Sequence, residues 1–182
     1  NPHFLFNSLS ILSSLVRKDP ELSEQFIDRL SKAYRYILEQ RDSDLVPLRT
    51  ELDFLQAYAF LLQTRFGHKF EVRVDLPDST VETARIPPLT LQLLVENAVK
   101  HNRMSEQEPL LIRVEAEGGQ LVVRNPFRPR GETKHSTGVG LQNIINRYAL
   151  LTDRPVWAGE TEREFVVRVP LLTHTDFNHP ND

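Results

Sequence analysis

Leu94-Val95-Glu96-Asn97-Ala98-Val99-Lys100-His101-Asn102 is the stretch on which the reading of this 182-residue chain turns. Leu91, Leu94, Val95 and Ala98 recur at helical steps and form the burial side of a helix running from Leu89 to Asn102. Asn97, Lys100 and His101 are three and four apart and share another face. An Asn oxygen suits Mg²⁺, which keeps several waters and takes few protein ligands when it arrives with a nucleotide, and a Lys suits phosphate. Taken alone, the same pattern also reads as the solvated face of an amphipathic helix.

Downstream of this helix, Leu110 to Glu117 and Gln120 to Asn125 read as two strands joined by Gly118-Gly119, a strong hairpin signal. Phe127 to Thr137 is polar, basic and aperiodic, so it reads as a loop. Gly138 to Leu151 resumes helical spacing, and Pro155 to Glu160 with Glu164 to Leu171 close the pattern as two strands. Upstream, Phe70, Val72, Val74 and Leu76 alternate as one face of a half-buried strand, followed by a turn at Pro77-Asp78-Ser79.

The first 66 residues read almost wholly as helix. Leu5, Leu9, Leu12 and Val16 form one stripe; Leu22, Phe26, Leu30, Ala33 and Ile37 form a second after the Asp19-Pro20 helix start. Leu48, Leu52, Leu55, Ala59, Leu62 and Phe66 form a third, stopped by Gly67. A two-helix hairpin has a thin core, so its stripes are expected to continue into a second copy as a dimeric four-helix bundle; packing on the same chain would give the same periodicity. Asp42 to Pro47 breaks the pattern and marks a boundary. The fold class is α+β, with a helical hairpin over residues 1–44, helices layered on a mixed, mainly antiparallel sheet over 45–172, and a loose tail over 173–182.

A formal net charge of −3 disfavours direct nucleic-acid binding, which needs a concentrated cationic excess. The absence of Cys removes disulfides, thiolate catalysis and thiolate metal sites. No apolar run approaches the roughly 20 residues of a bilayer span. Because the chain opens at Asn1-Pro2-His3 without Met, it reads as a piece of a longer protein, and any membrane segment is expected upstream.

Two further segments could carry chemistry. In Ser136-Thr137-Gly138-Val139-Gly140-Leu141, two glycines stand at the start of a helix, where backbone amides can face an anion, and Arg128, Arg130 and Lys134 precede them. By itself this is an ordinary glycine-started helix. In Asn1-Pro2-His3-Phe4-Leu5-Phe6-Asn7, the imidazole of His3 can attack a phosphoryl group at neutral pH, and Asn7, one turn on, could orient the ring. His174 and His179 read as tail residues, and Trp157 with Tyr34 and Tyr36 as core or interface.

Together the three segments resemble the sensor histidine kinases of the LytS/YehU type, from Asn1 to about Leu172. The resemblance implies that His3 is the phosphoacceptor. It further implies that LVENAVKHN is the N box, with Asn97 on the Mg²⁺ of Mg-ATP and Lys100 and His101 near the phosphates. STGVGLQNI would be the glycine box below an ATP lid, with Lys134, Thr137, Gly138, Gly140 and Leu141 at the nucleotide. It implies a Bergerat-type α/β sandwich, homodimerisation through the first two helices, and phosphotransfer to an aspartate on a response-regulator receiver domain, commonly one with a LytTR-type DNA-binding domain. Family members usually follow a membrane-embedded sensor region.

Three positions depart from common kinase patterns. The residue after the phosphoacceptor is Phe4 rather than an acid, leaving Asn7 or the ATP domain to position the ring. Asn125-Pro126-Phe127 stands where Asp-x-Gly often reads adenine, and an Asn oxygen can still accept from the adenine amino group. Leu93 replaces a carboxylate used as a base in related ATPases, leaving the adjacent Glu96 as candidate. The alternatives are a dimeric nucleotide-binding scaffold with weak or no kinase activity, and a helical adaptor without nucleotide.

Overall fold

The computed structural model describes residues 2–40, 42–131, 138–173 and 176, without the side chains of residues 2–4, 7 and 139. Three helices come first: α1 (Pro2–Leu15), α2 (Pro20–Glu39) and α3 (Leu48–Phe66). Asp19 caps α2 by accepting from the Leu22 amide at 3.0 Å, and Pro20 fills the first turn, where a missing N–H costs nothing. Gly67, at φ 60°, ends α3 in a conformation that side chains resist.

The remaining elements are β1 (Val46–Pro47), β2 (Phe70–Asp75), α4 (Asp78–Thr83), β3 (Arg85–Ile86), α5 (Thr90–His101), β4 (Leu110–Glu117), β5 (Gln120–Pro126), α6 (Val139–Ala149), β6 (Trp157–Glu160) and β7 (Glu164–Pro170). The main sheet has the order β2-β4-β5-β7-β6. Only the β2–β4 pair is parallel; the other three are antiparallel. The Gly118-Gly119 turn takes the positive φ values, 55° and 77°, that a tight hairpin demands.

One sheet face carries the core. Leu110, Ile112, Val114, Leu121, Val123, Val167 and Val169 are buried against α3, α5 and α6. On the other face, Arg124 binds Glu115 at 2.9 Å and Glu117 at 2.7 Å, Arg113 binds Glu164 at 2.6 Å, and Arg168 binds Glu117 at 2.8 Å. These arginine and glutamate stems lie over Val122 and Val166, so the uncovered face stays charged above and apolar beneath.

α3 is buried on two flanks. Leu55 and Tyr58 join the main core, while Leu61 packs with Phe26 and Leu30 of α2 in a smaller one. The second stripe of the hairpin is therefore satisfied within this chain. Along the first stripe, by contrast, Leu5 and Leu9 of α1 and the adjoining Val16 remain 36%, 46% and 51% exposed.

Two expectations are corrected, at Pro77 and along β2, and two are narrowed. Pro77-Asp78-Ser79 opens α4 rather than a simple turn, because Pro77 holds an extended cap position and Val81 is drawn into the core. The break at Asp42 to Pro47 contains β1, which pairs antiparallel with β3 and continues into α3 without a spacer. The β2 face fades along its length: Phe70 is buried, but Val74 is exposed because β2 is an edge strand. Trp157 is half exposed on the opposite edge, its ring lying over Gly159.

Leu55, 1% exposed at the centre of α3, gives a direct check. Leu55→Ala is expected to lower the unfolding free energy by about 2–5 kcal/mol with an unchanged urea m-value; a change below about 0.5 kcal/mol, the size of an ordinary surface substitution, would show that α3 is not the core helix.

Candidate functional site

α5 begins where Leu89 adopts a left-handed conformation, φ 66°, with no side-chain cap of its own. The cap comes from α3: the Glu51 carboxylate accepts from the Leu89 amide at 3.2 Å and the Leu91 amide at 3.1 Å. At its other end, Asn102 Nδ2 donates to the Ala98 carbonyl at 2.9 Å, and Asn102 Oδ1 accepts from the Arg128 amide at 2.8 Å. Asn102 thereby clips the strand-to-loop exit after β5 against the helix end.

Between α5, α6 and the sheet lies a cleft of about 280 Å³. Asn97 and His101 enter it from α5, Asn125 from β5, and Gly138 and Leu141 from the start of α6. Gly138 sits at φ 57° and Gly140 passes so close that a Cβ there would stand 3.1 Å from Asn97 Oδ1. The glycine thus leaves room for the Asn97 amide at the mouth of the helix. Lys134 and Thr137 lie outside the described residues.

Asn125 is 5% exposed, and its Nδ2 donates to the Pro126 carbonyl at 2.8 Å. With the amide nitrogen engaged locally, Oδ1 is the group left to accept a hydrogen bond in the cleft. Phe127 and Phe165 stack beside it, ring centroids 6.4 Å apart, and Glu160 closes the wall. The sequence alone assigns no role to those three residues or to Asn102; Phe127 and Asn102 stand in it only as members of motifs. Phe165 pairs with both Asn125 and Glu160 across neighbouring strands, a relation visible only once register is known.

Not every residue of the N-box stretch shares this cleft. Glu96 and Lys100 face the opposite flank of α5, where a second cavity of about 440 Å³ also receives Ser8 and Ile11 of α1 and Arg65 of α3. Lys100 therefore does not sit beside Asn97 and His101 as its spacing suggested. Residues three and four apart straddle a helical stripe, and here the stripe divides between two clefts. Gln92 Nε2 donates to Glu96 at 2.6 Å, holding that carboxylate on the α1 side. His3 and Asn7 stand in α1, but their side chains lie outside what is described.

The loop arginines are committed elsewhere. Arg128 donates to the carbonyls of Glu108 and Pro109, and Arg130 to those of Asn102 and Val99. The Arg128 guanidinium braces the segment before β4, and that of Arg130 the C-terminal end of α5, where carbonyls have no helical partner. Among the described residues no cluster of three His, Asp or Glu could hold a metal by itself.

Burial holds the His101 imidazole below its ordinary value of 6.5, with Lys100 and Arg130 acting in the same direction. A base with a depressed folded-state pKa binds fewer protons folded than unfolded, so stability falls as pH drops below about 6.5 towards the folded value. His101→Gln is expected to flatten that acid-side decline in urea midpoints. Identical slopes in variant and parent would mean the ring is not desolvated.

Residues 1–70 match the sequence model of the family described as Histidine kinase. The sensor protein LytS of Bacillus cereus is 36% identical over 163 residues, covering 81% of this chain and 28% of the relative. LytS of Bacillus subtilis is 41% identical over 163 residues, covering 81% and 27%. The sensor histidine kinase YpdA of Escherichia coli is 40% identical over 101 residues, covering 56% and 18%. Among solved structures, the histidine kinase AdeS of Acinetobacter baumannii aligns over 93% of this chain and 98% of its own at 12% identity, with a TM-score of 0.47. The chain spans about a quarter of the length of the curated relatives it matches. With the family model over residues 1–70 and relatives at this identity over four fifths of the chain, the chain belongs to the histidine kinase family, beside the LytS sensors.

Proposed function

We propose that this chain is the kinase core of a sensor histidine kinase, which binds Mg-ATP beside α5, phosphorylates His3 and passes the phosphoryl group to an aspartate of a response regulator. The observation that carries the reading is the convergence of Asn97, Asn125 and the Gly138–Gly140 turn on one cleft. At about 280 Å³ the cleft takes a purine, and its apolar walls with few polar groups fit a base. Asn125 Oδ1 would accept from the adenine amino group, and the amides at the start of α6 would face the phosphates.

Asn97 fits Mg²⁺, because Gly140 leaves its amide uncrowded and its oxygen is a hard ligand. Bound there with the nucleotide, the ion would neutralise phosphate charge. The chain's own residues supply the rest: neutral His101 can hydrogen-bond without adding charge, and Glu96 and Lys100 face the helix that bears His3. Glu96 would take a proton from the imidazole and Lys100 would attract the phosphoryl group, so that positioning and charge do most of the work.

In this reading the exposed Leu5 and Leu9 of α1 and the adjoining Val16 meet a second copy in a homodimer. The hairpin over residues 1–44 serves dimerisation and phosphoacceptance, and 45–172 the nucleotide. The partner is a receiver domain, most naturally one with a LytTR-type DNA-binding domain. Among the described residues no helix is long and apolar enough to cross a membrane. The chain would be the cytoplasmic portion of a longer inner-membrane sensor, which its 28% coverage of LytS supports.

Incubation with γ-labelled Mg-ATP should give acid-labile label on the parent and none on His3→Gln. A dimeric parent that takes no label would overturn the kinase reading and leave a nucleotide-binding scaffold. Gly140→Ala should displace Asn97 and weaken Mg-nucleotide binding by roughly tenfold, about 1.4 kcal/mol, read by titration calorimetry. Unchanged affinity would remove Asn97 from the metal.

A further inference from the structure

Glu51 is fully buried, yet it borders neither cleft and has no part in the reading above. It accepts hydrogen bonds from the Tyr36 hydroxyl of α2 and from the Leu89 and Leu91 amides at the start of α5. Beside them, Arg147 of α6 donates to the Pro88 carbonyl at 2.7 Å. One carboxylate therefore ties the helical hairpin to the helix that bears Asn97, at the point where α6 also reaches it.

We propose that Tyr36 and Glu51 are positioning residues for phosphotransfer, their buried hydrogen bond holding the α1–α2 hairpin so that α1 lies along the Glu96–Lys100 flank of α5. This rests on the kinase reading. Apolar packing between α2 and α3, through Phe26, Leu30 and Leu61, resists separation, but it sets the helix register less sharply than a hydrogen bond because it has no preferred direction. A hydrogen bond loses strength within a few tenths of an ångström and a few tens of degrees. Here the bond is enclosed, so water cannot replace a lost partner. Four residues after Tyr36 the helix ends at Gln40, so a slip of α2 at this bond would carry the whole hairpin with it. In that orientation a cavity brings Ser8 and Ile11 of α1 opposite Glu96 and Lys100.

Tyr36→Phe isolates the hydroxyl. The ring would keep its stack on Phe54, centroids 4.7 Å apart, and Glu51 would keep both amides of α5. The prediction is a split: the labelling rate at saturating Mg-ATP falls about tenfold, while nucleotide affinity stays within about twofold. Glu51→Gln also disturbs the start of α5, so both quantities should fall. A merely structural role for Tyr36 would instead lower affinity and rate together in both variants.

A second measurement does not depend on catalysis. With no native Cys, spin labels on Ser13→Cys and Glu106→Cys, both exposed, report the hairpin-to-domain distance by electron double resonance, with labelled chain diluted in unlabelled chain. Tyr36→Phe should broaden a narrow parental distribution. An unchanged labelling rate, a loss of affinity in step with rate, or an unbroadened distribution overturns the proposal. A parent that takes no label refutes the kinase reading separately, and the distance distributions then decide whether the bond orients the hairpin.

Discussion

Enclosing a carboxylate costs several kcal/mol unless charges or donors compensate it. Glu51 meets that condition with the Tyr36 hydroxyl, two backbone amides and the nearby Arg147 guanidinium. Burial is still the largest influence and raises its pKa, while the Tyr36 hydroxyl, the two amides and the Arg147 charge oppose it. The amides are also the positive end of a helix, where a negative charge is favoured. Three helices are thereby required to meet at one point: α2 for the hydroxyl, α3 for the carboxylate, α5 for its free N–H groups. The Tyr148 hydroxyl of α6, close enough to feel the Glu51 charge, is buried and finds no hydrogen-bond partner among the described residues.

From that junction α5 runs as a wall between two cavities. One flank offers an amide and a neutral imidazole to the cleft below α6; the other offers a carboxylate and an ammonium to the helix carrying His3. Each end of the wall is tied to a residue far away in sequence, by the Glu51 side chain at the start and by the Arg128 amide donating to Asn102 at the finish. A site built between a rigid helix and a sheet keeps its groups in place without a ligand, which suits a reaction governed by positioning.

Much of this architecture could be read from periodicity. The α5 stripe, the Gly118-Gly119 hairpin, the Gly67 stop and the Asp19-Pro20 start each have a local cause that sequence displays directly. Glu51 did not, because a Glu in an amphipathic helix reads as solvent-facing, and its partners lie 15 to 40 residues away. The β1–β3 pair is two residues long on each side, too short for alternation to register. Helical spacing placed Lys100 beside Asn97 but could not say where one cleft ended and the next began. Nor could it decide whether the stripes of the hairpin faced this chain or another; the structure sends that of α2 inward and leaves much of that of α1 outside. Asn125 was read from its place at a strand end, but the orientation of its amide follows from a bond to Pro126 that only coordinates reveal.

The central claim is that Asn97 and the glycine turn hold a metal-bound nucleotide beside α5. A crystal structure of the chain with Mg²⁺ and a non-hydrolysable ATP analogue tests it most directly. The account predicts the base between Asn125 and the Phe127–Phe165 pair, and Asn97 Oδ1 on the metal at about 2.1 Å. A nucleotide bound elsewhere, or a metal held by phosphates and water alone with Asn97 turned away, would contradict it.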